Sequence, residues 1–348
     1  MKIGIVGAGW WAGFAHIPAF RDAGAQIAGI YSRTLGRSQQ LAAECGTRAF
    51  LSYQELLENC DAVAISTTDD THAPLGIQAL EAGKHLFMDK PLARTAAEGQ
   101  AIVDAAKARG LTGLTSFTSR GDLAAQTARR KVLAGEIGEV LYVRGFFHGG
   151  FMGDPAGETT WRAKAEIGGA GGAVADLGAH LFDLTRMVTG LEFTAVMSQA
   201  RIHFQRPDPV TNYDEGAVLA QLGSATGMFS LSRVHIGGTQ VLQLEVQGRK
   251  GALKVRPALW GVGGDAQLWM CDRPGGDYTP VSPDPDLLGT RDPGWSWGHF
   301  QFVELAQEFM RAIAGQEAEY PTLEDGLATQ KTIDAAVSSA DSNVWVKV

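Results

Sequence analysis

Cysteine is scarce in this chain, and what there is forms no pattern. Cys45, Cys60 and Cys271 are odd in number and far apart, which excludes a disulfide framework and a CxxC metal site. A reducing compartment fits, so a cytoplasmic location is expected. Long apolar runs are also missing, since none reaches the ~18 residues that span a bilayer. Nor is there an excess of positive charge. Lys and Arg number 30 against 38 Asp and Glu, and the net charge of −8 gives no electrostatic reason to approach nucleic acid or an anionic membrane. There is no internal repeat or low-complexity tract. His148, His203 and His235 show no metal-ligand spacing, and no metal is expected.

Glycine is what the chain has in abundance. Its 44 residues require many turns or close backbone approaches. A 45% share of hydrophobic residues against 20% charged is the makeup of a globular chain with a large core, which excludes wholesale disorder. At about 150 residues per domain, 348 residues predict two domains. Lys2 followed by the apolar stretch 3–15 has the outline of a short signal peptide. Gly4, Gly7, Gly9 and Gly13 would weaken such a helix, and they suit a buried strand turning sharply into a helix instead.

Short apolar runs alternate with helical segments up to about residue 118. Strands are expected at Ile3–Val6, Gln26–Tyr31, Ala62–Ile65 and His85–Met88, and helices at Trp11–Arg21, Leu35–Glu44, Tyr53–Glu58 (capped by Ser52), His72–Glu81 and Thr95–Arg109. Runs apolar throughout and separated by helices imply a parallel sheet covered on both faces. The rhythm then changes. Asp122–Leu133 reads as helix, Val140–Phe147 as strand, Phe151–Gly172 as a Gly-rich loop and Ala173–Val188 as helix. Strand-like runs follow at Phe193–His203, Gly216–Leu222, Met228–His235 and Val241–Gln247, with hairpin turns expected at Gly227 and Arg249-Lys250. Arg273–Gly298 reads as loop, and helices near Phe300–Ala314 and Leu323–Ala340 close the chain. The expected fold is α/β: a doubly wound parallel sheet of the Rossmann type in residues 1–120, then an α+β domain with a largely antiparallel open sheet in residues 121–348. The last helices are free to pack back on the first domain.

Gly7-Ala8-Gly9-Trp10-Trp11-Ala12 follows the first strand and opens the first helix, the context a GxGxxG/A dinucleotide turn requires. Gly7 permits the tight turn. Gly9 leaves room for a pyrophosphate, which the free N–H groups at the helix start would meet, and Ala12 is small enough for helix–sheet contact. A Gly-rich turn without a ligand is the plainer alternative. After the second strand, an acidic side chain would signal NAD through the ribose hydroxyls, and none lies between Ala25 and Ser38. Ser32, Arg33 and Arg37 stand there instead, donors suited to a 2′-phosphate, so NADP is favoured over NAD unless the arginines merely solvate the helix.

Four segments give the chain its resemblance to the Gfo/Idh/MocA oxidoreductases, named for glucose-fructose oxidoreductase and inositol dehydrogenase. The dinucleotide turn runs on to His16-Ile17-Pro18-Ala19, and Ile65-Ser66-Thr67-Thr68 reaches His72. Gly83-Lys84-His85 leads to Asp89-Lys90-Pro91, and Gly171-Gly172 to Asp176-Leu177-Gly178-Ala179-His180. With the segment around Trp345-Val346 they span nearly the whole chain. Asp89 stands where the family usually has Glu and Thr68 where Pro is commoner. Ser116 and Phe117 replace the Asn and His that many members carry after a sixth strand. The resemblance implies that Gly7, Gly9, Trp10, Trp11, Ser32, Arg33, Arg37, Thr67, Thr68, His72, Asp89 and Lys90 surround the dinucleotide. It also implies that Phe117, Trp161, Arg162, Asp176 and His180 face the substrate.

Lys90 sits just past the end of a parallel strand, the edge where open α/β sheets bind ligands, and Pro91 biases it toward extended backbone. A Lys-Pro pair is otherwise an ordinary surface loop. Asp176 and His180, four apart in a helical stretch with Asp183 one turn on, share a face, as helix-surface pairs also do. The resemblance makes Lys90, Asp176 and His180 the catalytic set: His180 takes the hydroxyl proton, Lys90 stabilises the alkoxide or relays the proton, and Asp176 holds His180 and a substrate hydroxyl. Hydride transfer between a nicotinamide cofactor and a sugar, cyclitol or similar polyol is the implied reaction. The resemblance also implies a homodimer or homotetramer paired through the open sheet face. Phe146, Phe147 and Phe151 suit either a sugar-facing wall or core. Redox-recycling glycosidases that retain NAD and a non-enzymatic dinucleotide sensor are the family's other classes. Gly294-Trp295-Ser296-Trp297-Gly298 matches GxSxG, but a Pro-rich loop precedes it and the only later His is His299, so helix capping by Ser296 accounts for it better.

Overall fold

The computed structural model describes residues 1–206, 208–237, 240–259, 266–289, 292 and 295–348. The chain forms two units, one of residues 1–118 and 299–327, the other of residues 119–298 and 328–348. Among the described residues no helix is long and apolar enough to cross a membrane.

In the first unit the four apolar runs become β1 (Lys2–Val6), β2 (Gln26–Tyr31), β3 (Ala62–Ile65) and β4 (His85–Met88), and a short strand not expected from the sequence, β5 (Gly113–Thr115), joins them. They pair in parallel in the order β2-β1-β3-β4-β5. The order reverses between β1 and β3, and a switch point of this kind is where such sheets take ligands, outside the carboxyl ends of the strands. The strand before Ser116 is thus the fifth of this sheet and not a sixth. Between the strands run α1 (Ile17–Asp22), α2 (Leu35–Glu44), α3 (Tyr53–Glu58), α4 (His72–Glu81) and α5 (Ala96–Arg109). Their starts follow capping chemistry. The Ser52 hydroxyl accepts the Glu55 N–H at 3.1 Å, and the Thr95 hydroxyl that of Glu98 at 3.2 Å. Val63, Ile65, Leu86, Met88 and Ile102 form the core with Leu323 and Leu327, which arrive from the far end of the sequence. Each such buried aliphatic side chain contributes roughly 1.5–3 kcal/mol.

One departure in this unit bears on the site. The expected first helix opens with a π-turn, Ala12–His16, closed by the Ile17 N–H on the Ala12 carbonyl. A π-turn holds one residue more than an α-turn, which rotates the following side chains by about 100° around the axis. His16 is thereby turned fully inward.

The second unit contains α6 (Leu123–Leu133), β6 (Val140–His148), α7 (Ala165–Gly168), α8 (Ala173–Asp176), α9 (Gly178–Thr189), β7 (Ala195–Arg201), β8 (Glu215–Leu222), β9 (Ala225–Ser232), β10 (Val241–Gly248), β11 (Ala252–Arg256), β12 (Gln267–Cys271) and β13 (Thr279–Val281). Helix α10 (Trp297–Ile313) belongs almost wholly to the first unit, α11 (Leu323–Ser342) is divided between the two, and β14 (Val346–Lys347) pairs with β7. The nine strands run in the order β13-β12-β11-β10-β6-β9-β8-β7-β14. β6 and β9 are parallel and the other pairs antiparallel. Along β8, buried Gly216, Val218, Ala220 and Leu222 alternate with exposed Ala217, Leu219 and Gln221. Helix α9 packs on β6 and β10, and the other face of the sheet presents Leu219 and Met228 at 44% and 52% exposure.

The hairpin turn expected at Gly227 lies elsewhere. The β8–β9 turn is at Gly223, whose φ of +62° suits a residue without Cβ, and Gly227 lies inside β9 with its own hydrogen-bonded partners. The expected helix 173–188 is interrupted at Leu177. Within 151–172 lie a 3₁₀ turn, Trp161–Ala163, and α7. Within 273–298 lie β13 and a 3₁₀ turn, Pro285–Leu288.

Candidate functional site

Gly7 ends β1 in a conformation that only glycine tolerates. Its φ is +111°, and a Cβ there would lie 2.1 Å from the Ser66 carbonyl oxygen, so β1 and the loop after β3 touch through backbone. At Gly9 the opposite holds, because a Cβ would meet nothing within 4 Å. Open space at the second glycine, beside the N–H groups of an opening helix, is what a pyrophosphate needs, and the turn fits a dinucleotide on that ground. Trp10 follows at 68% exposure, stacked on Phe14 with centroids 4.3 Å apart. Trp11 is half-buried, edge-on to Phe302 at 6.2 Å. Beyond β2, the Ser32 hydroxyl donates to the Thr34 carbonyl at 2.8 Å, and Arg33 and Arg37 are exposed. Beyond β3, the Thr71 hydroxyl reaches the Thr67 hydroxyl at 2.7 Å and the Thr68 carbonyl at 2.8 Å, tying that loop to the start of α4.

Lys90 is half-buried just beyond β4 and is joined to Pro91 by a cis peptide bond. The residues around it are interior ones. Asp89 is only 14% exposed, and its Oδ1 accepts from His16 Nε2 and from the Ser116 hydroxyl, each at 2.9 Å. Burial pushes the Asp89 carboxyl up, but His16, His72 and Ser116 together outweigh it and hold the group below the usual carboxylate range. His72 is fully buried, and its Nδ1 donates to the Pro91 carbonyl at 2.9 Å. Phe117 is 1% exposed. His72 and Phe117 therefore offer no surface to a ligand. His72 opens α4 and Phe117 follows β5, and motif spacing does not report which side of the backbone a side chain takes.

In the second unit, Trp161, Arg162 and Asp176 come together. The Arg162 guanidinium lies 4.4 Å above the Trp161 ring, and its Nε is 3.5 Å from Asp176 Oδ2. Arg233, 1% exposed, brings Nη1 to 4.0 Å from the same oxygen. Two guanidinium groups beside one carboxylate favour its ionised form. Arg233 also donates to the Arg162 carbonyl at 3.0 Å and to the Tyr213 carbonyl at 2.5 Å, while Asn212 donates to Arg162 at 3.2 Å and to Gly169 at 2.9 Å. Burial lowers the Arg233 guanidinium from its ordinary value, against the raising effects of Asp176 and Asp214. His180, half-buried in the first turn of α9, meets the Phe147 ring edge-on at 5.7 Å. The break at Leu177 lies between it and Asp176. Asp183 is fully buried and binds Arg120 through contacts of 2.9 and 2.6 Å, a fold-supporting pair.

Sequence reasoning missed His16, Ser116, Asn212 and Arg233 as parts of these two clusters. His16 was visible only as one residue of a motif, and its inward turn depends on the π-turn. Arg233 had one available signal, a charged residue directly after a strand whose alternate positions Ala225, Gly227, Phe229 and Leu231 are apolar and buried. Of the GxSxG stretch, Gly294 lies outside the described residues, and Ser296 directly precedes α10. Among the described residues no group of three His, Cys, Asp or Glu side chains is placed to hold a metal.

Residues 1–117 match the family model of the Gfo/Idh/MocA oxidoreductases with NAD-binding Rossmann fold, and residues 125–254 match the C-terminal domain of the same family. A levoglucosan dehydrogenase of Pseudarthrobacter phenanthrenivorans is 29% identical, over 89% of this chain and 87% of its own length. A 1,5-anhydro-D-fructose reductase of Ensifer adhaerens is 31% identical, over 97% of this chain and 95% of its own. A solved levoglucosan dehydrogenase in complex with NADH and L-sorbose superposes with a TM-score of 0.90 at 26% identity, over 100% of this chain and 98% of that one.

Proposed function

We propose, from the premise that this chain belongs to the Gfo/Idh/MocA oxidoreductase family with its NAD-binding Rossmann domain, that it transfers a hydride between a nicotinamide cofactor and a secondary alcohol or ketone of a sugar, cyclitol or similar polyol. The observation that carries this reading is the open space at Gly9 on the same strand-end edge of the sheet that presents Lys90. Relatives named for levoglucosan and 1,5-anhydro-D-fructose support the sugar class.

The nicotinamide, when bound, supplies the hydride acceptor or donor. Gly7, Gly9, Trp10, Trp11, Thr67, Thr68 and Lys90 would hold the dinucleotide, the two glycines at its pyrophosphate, while Asp89 and the buried His72 would act from behind Lys90. His180 removes the hydroxyl proton as the alcohol is oxidised, since imidazole exchanges protons near neutral pH. Lys90 steadies the developing alkoxide or relays the proton. Asp176, ionised between Arg162 and Arg233, accepts a hydrogen bond from a substrate hydroxyl and holds His180, and Trp161 offers a flat face to the ring. We assign the cofactor preference to NADP, because Ser32, Arg33 and Arg37 follow β2 where no carboxylate stands. We also propose a homodimer or homotetramer paired through the sheet face that exposes Leu219 and Met228. A cytoplasmic location suits three free thiols.

The test is to mix the purified protein with NADP or NAD and a panel of anhydrosugars, inositols and aldoses, and to follow the absorbance of reduced nicotinamide. Cleavage of glycosides with no net nicotinamide change would reject the dehydrogenase reading in favour of a redox-recycling glycosidase.

A further inference from the structure

Lys90 is flanked on both sides by residues that a buried imidazole holds. Ahead of it, Asp89 takes the Nε2 hydrogen of His16 and the hydroxyl of Ser116, each at 2.9 Å. Behind it, the Pro91 carbonyl takes the Nδ1 hydrogen of His72, also at 2.9 Å. A carbonyl oxygen only accepts, so His72 carries its proton on Nδ1, and an ionised Asp89 sets the proton of His16 on Nε2. Both rings are fully buried. His16 is walled in by Phe302, Phe87 and Phe20, with centroids 4.8, 5.6 and 6.4 Å away, so the ring has no room to swing.

The remaining nitrogen of each ring makes packing alone a poor account. His16 Nδ1 and His72 Nε2 are both buried without a hydrogen-bond partner. A position that needed only volume would be better filled by Phe or Leu, which leave no polar atom stranded. Two separate elements, the π-turn ahead of α1 and the first residue of α4, each accept a stranded nitrogen in order to deliver one N–H to the chain next to Lys90.

We infer that His16 and His72 are a pair of positioning residues that fix the backbone on either side of Lys90, one through the Asp89 carboxylate and the other through the Pro91 carbonyl, and so set where the lysine ammonium stands during the reaction. The inference rests on the proposed dehydrogenase function. It adds a division of labour: neither histidine touches cofactor or substrate, and each acts through a single donated hydrogen bond.

The two bonds leave from different ring atoms, which provides a crossed test. The amide nitrogen of Gln reaches about as far as an imidazole Nε2, and that of Asn about as far as Nδ1. In the full-length protein, His16→Gln and His72→Asn keep most of the wild-type kcat. His16→Asn and His72→Gln, equally polar but wrong in reach, lose about a hundredfold, the scale of a 1 Å misplacement. Cofactor affinity, read by tryptophan fluorescence, changes little in any of the four, so the effect sits in kcat. Circular dichroism melts identify any variant that loses the fold, and the better-folded partner at that position is then compared with wild type. The same order at both positions, or four variants within twofold of wild type, overturns the inference while the proposed function stands. A wild-type protein that turns over no polyol with either cofactor removes both.

Discussion

Replacing the two glycines of the first turn one at a time separates the fold from its ligand. At Gly7 an alanine must adopt φ near +111° and set its Cβ 2.1 Å from the Ser66 carbonyl oxygen and 2.8 Å from its carbon. A left-handed conformation costs a non-glycine residue roughly 1–2 kcal/mol, and relief of the overlap requires β1 and the loop after β3 to move apart, so Gly7→Ala should lose at least about 3 kcal/mol. Gly9 is exposed, and the Cβ of a valine there meets nothing within 4 Å. The stability of Gly9→Val without ligand should therefore stay within about 0.5 kcal/mol of wild type, as for surface substitutions that touch nothing. Dinucleotide affinity should fall at least a hundredfold, about 2.8 kcal/mol at 1.4 kcal/mol per tenfold. Urea unfolding of the apo-protein measures the first quantity, and fluorescence titration with NADP and NAD the second. Unchanged nucleotide binding by Gly9→Val would refute the placement of the pyrophosphate. Unchanged stability of Gly7→Ala would refute the contact argued from its geometry.

Arg33→Asp should lower kcat/KM for NADP by about ten- to a hundredfold, the worth of a charge-assisted hydrogen bond, and spare or improve NAD; equal losses with both cofactors would count against the NADP assignment. Lys90→Ala and His180→Ala should each cost about 10²–10⁴ in kcat with little change in cofactor affinity, and full turnover by either would remove it from the catalytic set. Glu304 supplies a pH prediction. Burial, with Glu308 adding to it and Arg311 opposing, pushes its carboxyl from 4.5 up to about 7. The folded state then binds the proton more tightly than the unfolded one, so this contribution to stability is complete below about pH 4.5 and is lost as pH rises through about 7. Since the group is partly exposed, the change is on the order of 1–2 kcal/mol. Glu304→Gln should flatten denaturation midpoints across that window, and an unchanged pH slope would show that the carboxyl is ordinarily solvated.

The parallel sheet was legible because its strands are apolar on both faces and their helices begin at cap residues such as Ser52. Uninterrupted apolar runs and short polar punctuation need no tertiary information. Gly227 misled because glycine marks both turns and strand positions that sit under a bulky neighbour, here Phe229 and Leu222. β12 and β13 went unread because Trp269 and Met270, and then Pro280, do not alternate cleanly and lie among glycines and prolines. The motifs located the clusters and not their supports. Asn212 and Arg233 hold Arg162 across roughly 50 and 70 residues of sequence, a pairing that the packed fold alone reveals. His16 faces inward through a π-turn, a backbone irregularity with no composition of its own.

The first unit is assembled from two stretches far apart in sequence, residues 1–118 and 299–327, and this governs how the molecule is born. β5 is the outer strand of its sheet, and the segment that covers it is made some two hundred residues later: the Thr115 N–H bonds the Pro321 carbonyl at 3.0 Å, Leu114 bridges to Thr322, and Leu323 sits against Gly113. A nascent chain that has just left the ribosome through residue 118 thus presents a bare strand edge and a vacancy in its core, both invitations to stick to other chains. Cutting the gene there to obtain a small nucleotide binder would yield an aggregating fragment. Supplying residues 299–327 through a short linker in place of everything between should yield a soluble one.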